Sequence, residues 1–338
     1  MAGRKLTRQQ RWRVEKIQAE RNRRAERREQ TTQAGLEHDA FGHEREGRVI
    51  AHFGRTLEVE EILEDGLPGE RYRCHQRANI DALVTGDRVS WREGEAHTGV
   101  VVGRFERHST LERPDMRGQL KPVAANIDRI LIVCAAEPVP HANLIDRYLV
   151  AAETTGITPS LVINKIDLPT GNALAELKRR YTRLGYEIVE ASVKLEHGLD
   201  PLQSAVKGRT TVFVGQSGVG KSSLIDTLLP EEALRIGALS EDSRKGTHTT
   251  TTARLYHFPA GGHLIDSPGI REFGLGHLDA RQVAHGFIEF RDYLGHCRFR
   301  DCAHQGEPGC VLKEAVEQGE IDPARFDSFQ RIVSSLIQ

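Results

Sequence analysis

No stretch of this sequence is long and apolar enough for a helix to cross a bilayer. The longest uninterrupted apolar run, Ile130 to Ala136, has seven residues, where a spanning helix needs about 20. The N-terminal segment is densely charged and has no apolar core, so a secretory signal is not expected. No self-similarity at a period of about 20–50 residues is visible, which argues against a solenoid or propeller. Cysteine is scarce, five in 338 residues. Cys74 and Cys134 stand alone in strand-like runs and read as small buried hydrophobes. The other three crowd together near the C-terminus, a pattern that favours metal over disulfide in a cytoplasmic chain. These absences leave a cytoplasmic protein without a membrane partner as the expectation.

Net charge is also nearly absent, at −1, but it is unevenly placed. Residues 1–30 hold eleven Lys and Arg against four Glu, so an arm of +7 precedes a body of −8. A basic arm suits phosphate backbones, where each neutralised phosphate releases counterions; the plainer reading is a solvated tail, disordered on its own. The length and a hydrophobic content of 38% allow two or three domains. Residues 39–113 read as short alternating strands with Gly-containing turns, a small antiparallel barrel of OB type, with an SH3-like barrel leaving similar traces. Residues 114–123, "PDMRGQLKPV", look like a linker. From residue 124 to 280 apolar strands alternate with amphipathic helices, the pattern of a parallel, doubly wound α/β sheet. Residues 281–338 read as helical, interrupted by the cysteine cluster. The expected fold is therefore multidomain: a basic arm over 1–38, a barrel, a linker, an α/β domain and a small helical domain.

The chemistry concentrates in the α/β part. Gly215-Gln216-Ser217-Gly218-Val219-Gly220-Lys221-Ser222 fits G-x4-G-K-[ST], after an apolar strand and before "SSLIDTLL", with Ser223 next in the helix. Glycines let the backbone wrap phosphates, Lys221 reaches the β and γ phosphates, and the Ser222 hydroxyl can ligate Mg2+. A chance glycine turn is the bland alternative, and the flanking strand and helix argue against it. Asp266-Ser267-Pro268-Gly269 ends the strand "HLID", about 45 residues beyond the loop. There Asp266 can hold Mg2+ through water and the Gly269 amide can sense the γ phosphate. Between them, "RKGTHTTTTARLYHF" offers a threonine to close over Mg2+ and the γ phosphate. Thr250 is the choice, with Thr249 and Thr251 beside it; a Thr-rich β segment is the alternative. Asn164-Lys165-Ile166-Asp167 is an N-K-x-D pattern. The Asp167 carboxylate can accept from guanine N1 and N2, a donor pair adenine lacks, and Lys165 can lie along the base. Ser192, after the next strand, can support Asp167.

The order of these motifs is rotated. The base reader comes first and the phosphate loop follows, as if an ordinary GTPase circuit had been cut open elsewhere and its old ends joined. Such a cut is tolerated where termini lie close together on the surface, and all the loops leave the same C-terminal edge of one sheet. Farther on, Cys297-x4-Cys302-x-His304-x5-Cys310 supplies three thiolates and an imidazole, a set suited to tetrahedral Zn2+ in a closed structural site. Reduced, unliganded cysteines are the alternative. Arg298 and Arg300 on the knuckle can meet a phosphate backbone.

Taken in sequence, NKID, GQSGVGKS, HTTT, DSPG and C-x4-C-x-H-x5-C behind a β-barrel resemble the ribosome small-subunit-dependent GTPase A (RsgA) family. The likeness covers about residues 45–338. It implies an OB barrel, a circularly permuted P-loop GTPase domain and a helical zinc-binding domain. It further implies GTP hydrolysis to GDP and phosphate, stimulated by the small (30S) ribosomal subunit late in its maturation, with contacts to 16S rRNA. One Zn2+ per chain, Mg2+ with GTP and a monomeric state are expected. Ile270 follows the DSPG where Ras-like enzymes carry a water-orienting glutamine, so His248, matching the family's catalytic histidine, is the candidate for that task. Thr247 stands where many members have Arg. The alternative function is a nucleotide-gated rRNA-binding assembly chaperone whose hydrolysis is incidental; an adenine-specific ATPase is disfavoured by Asp167.

Overall fold

The computed structural model describes residues 41–54, 56–115, 118–230, 253–266 and 274–336. The basic arm, the Thr run with His248 and Thr250, and Gly269 lie outside the described residues.

Five strands build the N-terminal barrel: β1 (Glu44–Phe53), β2 (Thr56–Ile62), β3 (Pro68–Gln76), β4 (Arg88–Glu93) and β5 (Thr98–Arg104). They run in the order β1-β2-β3-β5-β4, and β4 returns to β1 to close the ring. Closure depends on the length of β1, which pairs with β2 along one edge and β4 along the other, and on a register shift between Val49 and Ala51 that bends it. Alternate positions fill the lumen: Val49, Leu57, Val59, Tyr72, Cys74, Val89, Trp91 and Val101 are all buried there.

The segment expected as a linker is instead part of a β-hairpin, β6 (Thr110–Pro114) and β7 (Leu120–Ala125). Pro114 ends β6, Gly118 makes the turn and Pro122 lies within β7. Gly118 N–H donates to the Asp115 carbonyl at 2.9 Å, and Gln119 N–H to the Asp115 carboxylate at 3.0 Å. A two-stranded ribbon is all edge, so Pro114 and Pro122 are admitted without losing a central ladder.

The α/β sheet holds β8 (Arg129–Ala135), β9 (Thr158–Asn164), β10 (Glu187–Ala191), β11 (Thr210–Gly215), β12 (Arg254–His257) and β13 (His263–Asp266), ordered β10-β9-β8-β11-β13-β12. All neighbours are parallel except β12, which runs antiparallel to β13 and meets β1 of the barrel. The period-2 pleat sorts β8 onto two cores. Ile130, Ile132 and Cys134 pack with α1 (Ala142–Thr155) and α2 (Asn172–Arg183), while Leu131, Val133 and Ala135 pack with α3 (Asp200–Val206) and α4 (Lys221–Leu228). Helices on both faces explain why the strand reads as one continuous apolar run.

The C-terminal part contains α5 (Ala280–Gly286), a 3-10 turn at Ile288–Phe290, α6 (Val311–Glu317) and α7 (Pro323–Leu336). Asp279 and Gln282 close a reciprocal capping box on α5. Phe287, Phe290, Phe326 and Phe329 form its core together with Val150 and Ala151 of α1. Leu275 and Leu278 join that core, upstream of the boundary expected at 281. No described helix is long and apolar enough to cross a membrane.

Candidate nucleotide site and metal centre

Parallel pairing lines up the strand ends that carry the motifs. Asn164 pairs with Ala135 on one side and Ala191 on the other, and Gly215 pairs with Val133. The base-reading loop, the Ser192 loop and the phosphate loop therefore leave one edge of the sheet side by side, as ligand loops of open α/β sheets do.

Two glycines of the phosphate loop have no room for a side chain. Gly215 has φ +137°, and a Cβ there would lie 2.2 Å from the Val133 carbonyl oxygen. Gly220, at φ +95°, caps α4, and its Cβ would lie 2.4 Å from Asn164 Nδ2. Val219 is buried and pins the loop to the core, whereas Ser217 and Gly218 are exposed at its crest. Ser222 and Ser223 are exposed on the first turn of α4, where N–H groups and the helix dipole favour anions. Lys221 Nζ donates to the Gly215 and Gln216 carbonyls, each at 2.7 Å.

The loop of residues 164–167 is bonded to the phosphate loop itself. Asn164 Nδ2 donates to the Val219 carbonyl at 2.9 Å. Lys165, in a left-handed backbone conformation (φ +61°), sends Nζ to the Gly218 and Glu137 carbonyls, each at 2.8 Å. Asp167 accepts from the buried Ser192 hydroxyl at 2.6 Å, and Lys194 Nζ stands 3.6 Å from its other oxygen. The Ser192 hydrogen bond, helped by Lys194, holds the Asp167 carboxyl below the usual carboxylate range. Asp266 ends β13, parallel to β11. Asn164, Lys165, Asp167, Ser192 and residues 215–223 are thus gathered at one edge. The contact of Lys194 with Asp167 and the part of the Glu137 carbonyl are not legible in sequence: one depends on how the Ser192 loop folds back, the other is a backbone atom.

Cys297, Cys302, His304 and Cys310 also converge, with their ligand atoms all within 4.8 Å of one another. His304 Nδ1 lies 3.5, 3.6 and 3.4 Å from the three sulfurs. An N–S edge of a tetrahedron built on ordinary Zn–N and Zn–S bonds is about 3.5 Å, so the donor set and its spacing fit such an ion. The knuckle is tied by Arg298 N–H to the Gly309 carbonyl at 3.0 Å. The Glu307 carboxylate accepts from Ala303 and Gln305 N–H at 2.9 and 2.7 Å.

Known proteins share this arrangement. A family model, RsgA GTPase, matches residues 104–276. A small ribosomal subunit biogenesis GTPase RsgA from Chromohalobacter salexigens is 66% identical, with 99% of each chain covered. The crystal structure of YjeQ from Thermotoga maritima superposes with a TM-score of 0.70 at 31% identity, covering 87% of this chain and 99% of that one. That of YloQ, a circularly permuted GTPase, gives a TM-score of 0.67 at 27% identity, covering 88% and 97%. Rotated motif order, closed barrel, Cys3His centre and near full-length relatives agree: this chain belongs to the RsgA GTPase family.

Proposed function

We propose that this GTPase hydrolyses GTP to GDP and phosphate as a step in late maturation of the small (30S) ribosomal subunit, touching 16S rRNA as a cytoplasmic monomer. The observation that carries the site assignment is the pair of bonds from Asn164 and Lys165 to Val219 and Gly218, because they make base reader and phosphate loop one pocket. Asp167 accepts from guanine N1 and N2 while Ser192 and Lys194 keep it ionised, and the Lys165 stem flanks the base. Residues 215–223 wrap the phosphates, with Lys221 leaving its carbonyl partners for the β and γ oxygens. Ser222, Thr250 and, through water, Asp266 would hold Mg2+, which would supply charge neutralisation on the phosphates. The Gly269 amide contacts the γ phosphate, and His248 orients the attacking water in the place of the glutamine that Ile270 cannot supply. One Zn2+ on Cys297, Cys302, His304 and Cys310 holds the C-terminal knuckle together.

The family membership and the pocket support this reading, and two measurements test it. GTP turnover with purified small subunits should exceed turnover without them, and His248→Ala should keep GTP binding while losing the stimulated rate. Unchanged stimulated turnover in His248→Ala would favour a nucleotide-gated chaperone instead. ATP displacing a labelled guanine nucleotide as well as GTP does would reject Asp167 as the base reader.

A further inference from the structure

The barrel meets the nucleotide domain at two places: Ala125 N–H donates to the Thr85 carbonyl at 3.0 Å beside a Thr85–Ala124 bridge, and β1 meets β12 along a seam to which the backbone contributes little. Strands β1 and β12 share a single residue pair, Ala51 with Arg254. Side chains supply the rest. Near the start of β12, Glu58 pairs with Arg254 at 3.0 Å, and the Thr85 hydroxyl donates to the Ala253 carbonyl at 2.8 Å. At its far end two cross-strand pairs face each other. Arg48 and Glu60 are register partners across β1 and β2, while His257 and His263 are register partners across β12 and β13. Arg48 Nη1 is bonded to His263 Nε2, and the two imidazoles meet Nδ1 to Nδ1 at 2.9 Å with their planes at 81°. His257 Nε2 then lies 2.6 Å from Glu60 Oε2, and Arg71 Nε takes the other Glu60 oxygen at 3.1 Å.

Imidazole chemistry gives this row a direction. A guanidinium only donates, so His263 Nε2 accepts and its proton sits on Nδ1. That N–H donates to His257 Nδ1, which leaves the His257 proton on Nε2, facing the carboxylate. The row runs Arg48 to His263 to His257, with Glu60 beside the far nitrogen of His257, and the Arg48 contact holds His263 in one tautomer. A further proton on either ring would set N–H against N–H or a cation against Arg48. Burial, then Arg48 and His257, accordingly push the His263 pKa down to about 3. Arg88, Asp128 and Glu46 are the other charges around Arg48.

The hairpin these histidines belong to has four residues in each strand and ends on Asp266. We propose that Arg48 and Glu60 are positioning residues for the nucleotide site: through the oriented His263–His257 pair they hold the β12–β13 hairpin, so the barrel's position sets that of Asp266. A partner gripping the barrel is then felt at the magnesium side of the pocket. The inference rests on the role given to Asp266 above.

The test uses the full chain and three variants, Arg48→Met, Arg48→Lys and Asp266→Asn. The readouts are kcat for GTP with saturating small subunits, Kd for GDP without magnesium, and histidine tautomers by 15N–1H NMR. Arg48→Met should lower kcat about tenfold, as a small misplacement of a catalytic group does. It should leave the GDP Kd within about twofold, because base reader and phosphate loop are untouched. Arg48→Lys, which keeps a donor, should recover much of the loss. The unsubstituted protein should show His263 protonated at Nδ1 and His257 at Nε2. Undiminished kcat in Arg48→Met, a GDP Kd weakened in proportion to kcat, or His263 protonated at Nε2 would each overturn the latch. Undiminished turnover in Asp266→Asn would overturn the reading of Asp266 and the latch with it. Loss in Asp266→Asn without loss in Arg48→Met would overturn the latch alone.

Discussion

At the scale of single residues, the Asp167 carboxylate shows what a neighbour's hydroxyl can do. Ser192 donates to Asp167 at 2.6 Å and receives Lys194 N–H at 3.1 Å, so it fixes both the charge and the aim of that carboxylate. Ser192→Ala should weaken GDP binding by a few-fold to about tenfold, as expected for one hydrogen bond to a charged group, read by calorimetry. The pH dependence has a definite sign. A lowered Asp167 pKa means the ionised acceptor persists as pH falls, so guanine binding should fail only below the ordinary carboxylate range. In Ser192→Ala that failure should move to higher pH. The thiols divide in the same residue-by-residue way. Cys74 and Cys134 lie inside strand cores, whereas Cys297 and Cys302 are half-buried on the knuckle, so access to the reagent separates them. After chelation, an alkylating reagent should label Cys297, Cys302 and Cys310 and leave Cys74 and Cys134 unmodified, counted by mass spectrometry of the folded protein. Standing alone in strand-like runs was enough to read their burial, because a small soft side chain in a strand core needs no partner.

At the scale of elements, the phosphate loop and the β12–β13 hairpin behave differently. The loop's shape is written into its glycines. At Gly220 an added methyl meets Asn164 Nδ2 at 2.4 Å, so Gly220→Ala should break the Asn164–Val219 bond and weaken nucleotide binding about tenfold or more, checked by GDP titration. The hairpin has no such signature: "RLYHFPAGGHLID" declares a turn but not what its histidines face. Its joint with the barrel should loosen in acid. His263 is neutral when folded, with a pKa of about 3 against an ordinary value near 6.5. The unfolded chain therefore gains protons first as pH falls. Stability from this joint is complete above about pH 6.5 and is lost progressively towards pH 3. Amide exchange in β12 and β13 should accelerate across that window before the central β8 and β9 open.

At the scale of the whole molecule, the C-terminal domain is seated on the nucleotide domain through a buried charge. Arg325 of α7 is 1% exposed, pairs with Asp146 of α1, forks onto Glu289 at 2.6 and 3.1 Å, and lies over the Phe287 ring at 4.3 Å. Tyr181 also donates to Asp146, and burial with the adjacent Asp146 charge raises its own pKa well above the ordinary value. Asn143 Nδ2 adds bonds to Ser328, and Arg291 to Glu153 at 2.7 Å. Removing one member of a buried pair strands the other, so Arg325→Ala should cost about 3–5 kcal/mol, measured by denaturant unfolding. Pairing it with Asp146→Ala should recover part of that loss, since only the Glu289 carboxylate is then left without its guanidinium.

The sequence by itself determined the phosphate-loop and N-K-x-D motifs, their rotated order and the four-donor Cys3His cluster. Each of these is a local code: spaced glycines, one N-K-x-D, four soft donors in fourteen residues. It also determined the strand–helix alternation, because a strand buried on both faces is apolar throughout. Only the tertiary structure decided that the Pro- and Gly-marked linker is a hairpin and that Leu275 and Leu278 belong to the C-terminal core. It alone paired Arg48 and Glu60 with His257 and His263, and Arg325 with Asp146. Those contacts join residues far apart along the chain, and a charge that has found its partner looks in sequence like a charge that has found water.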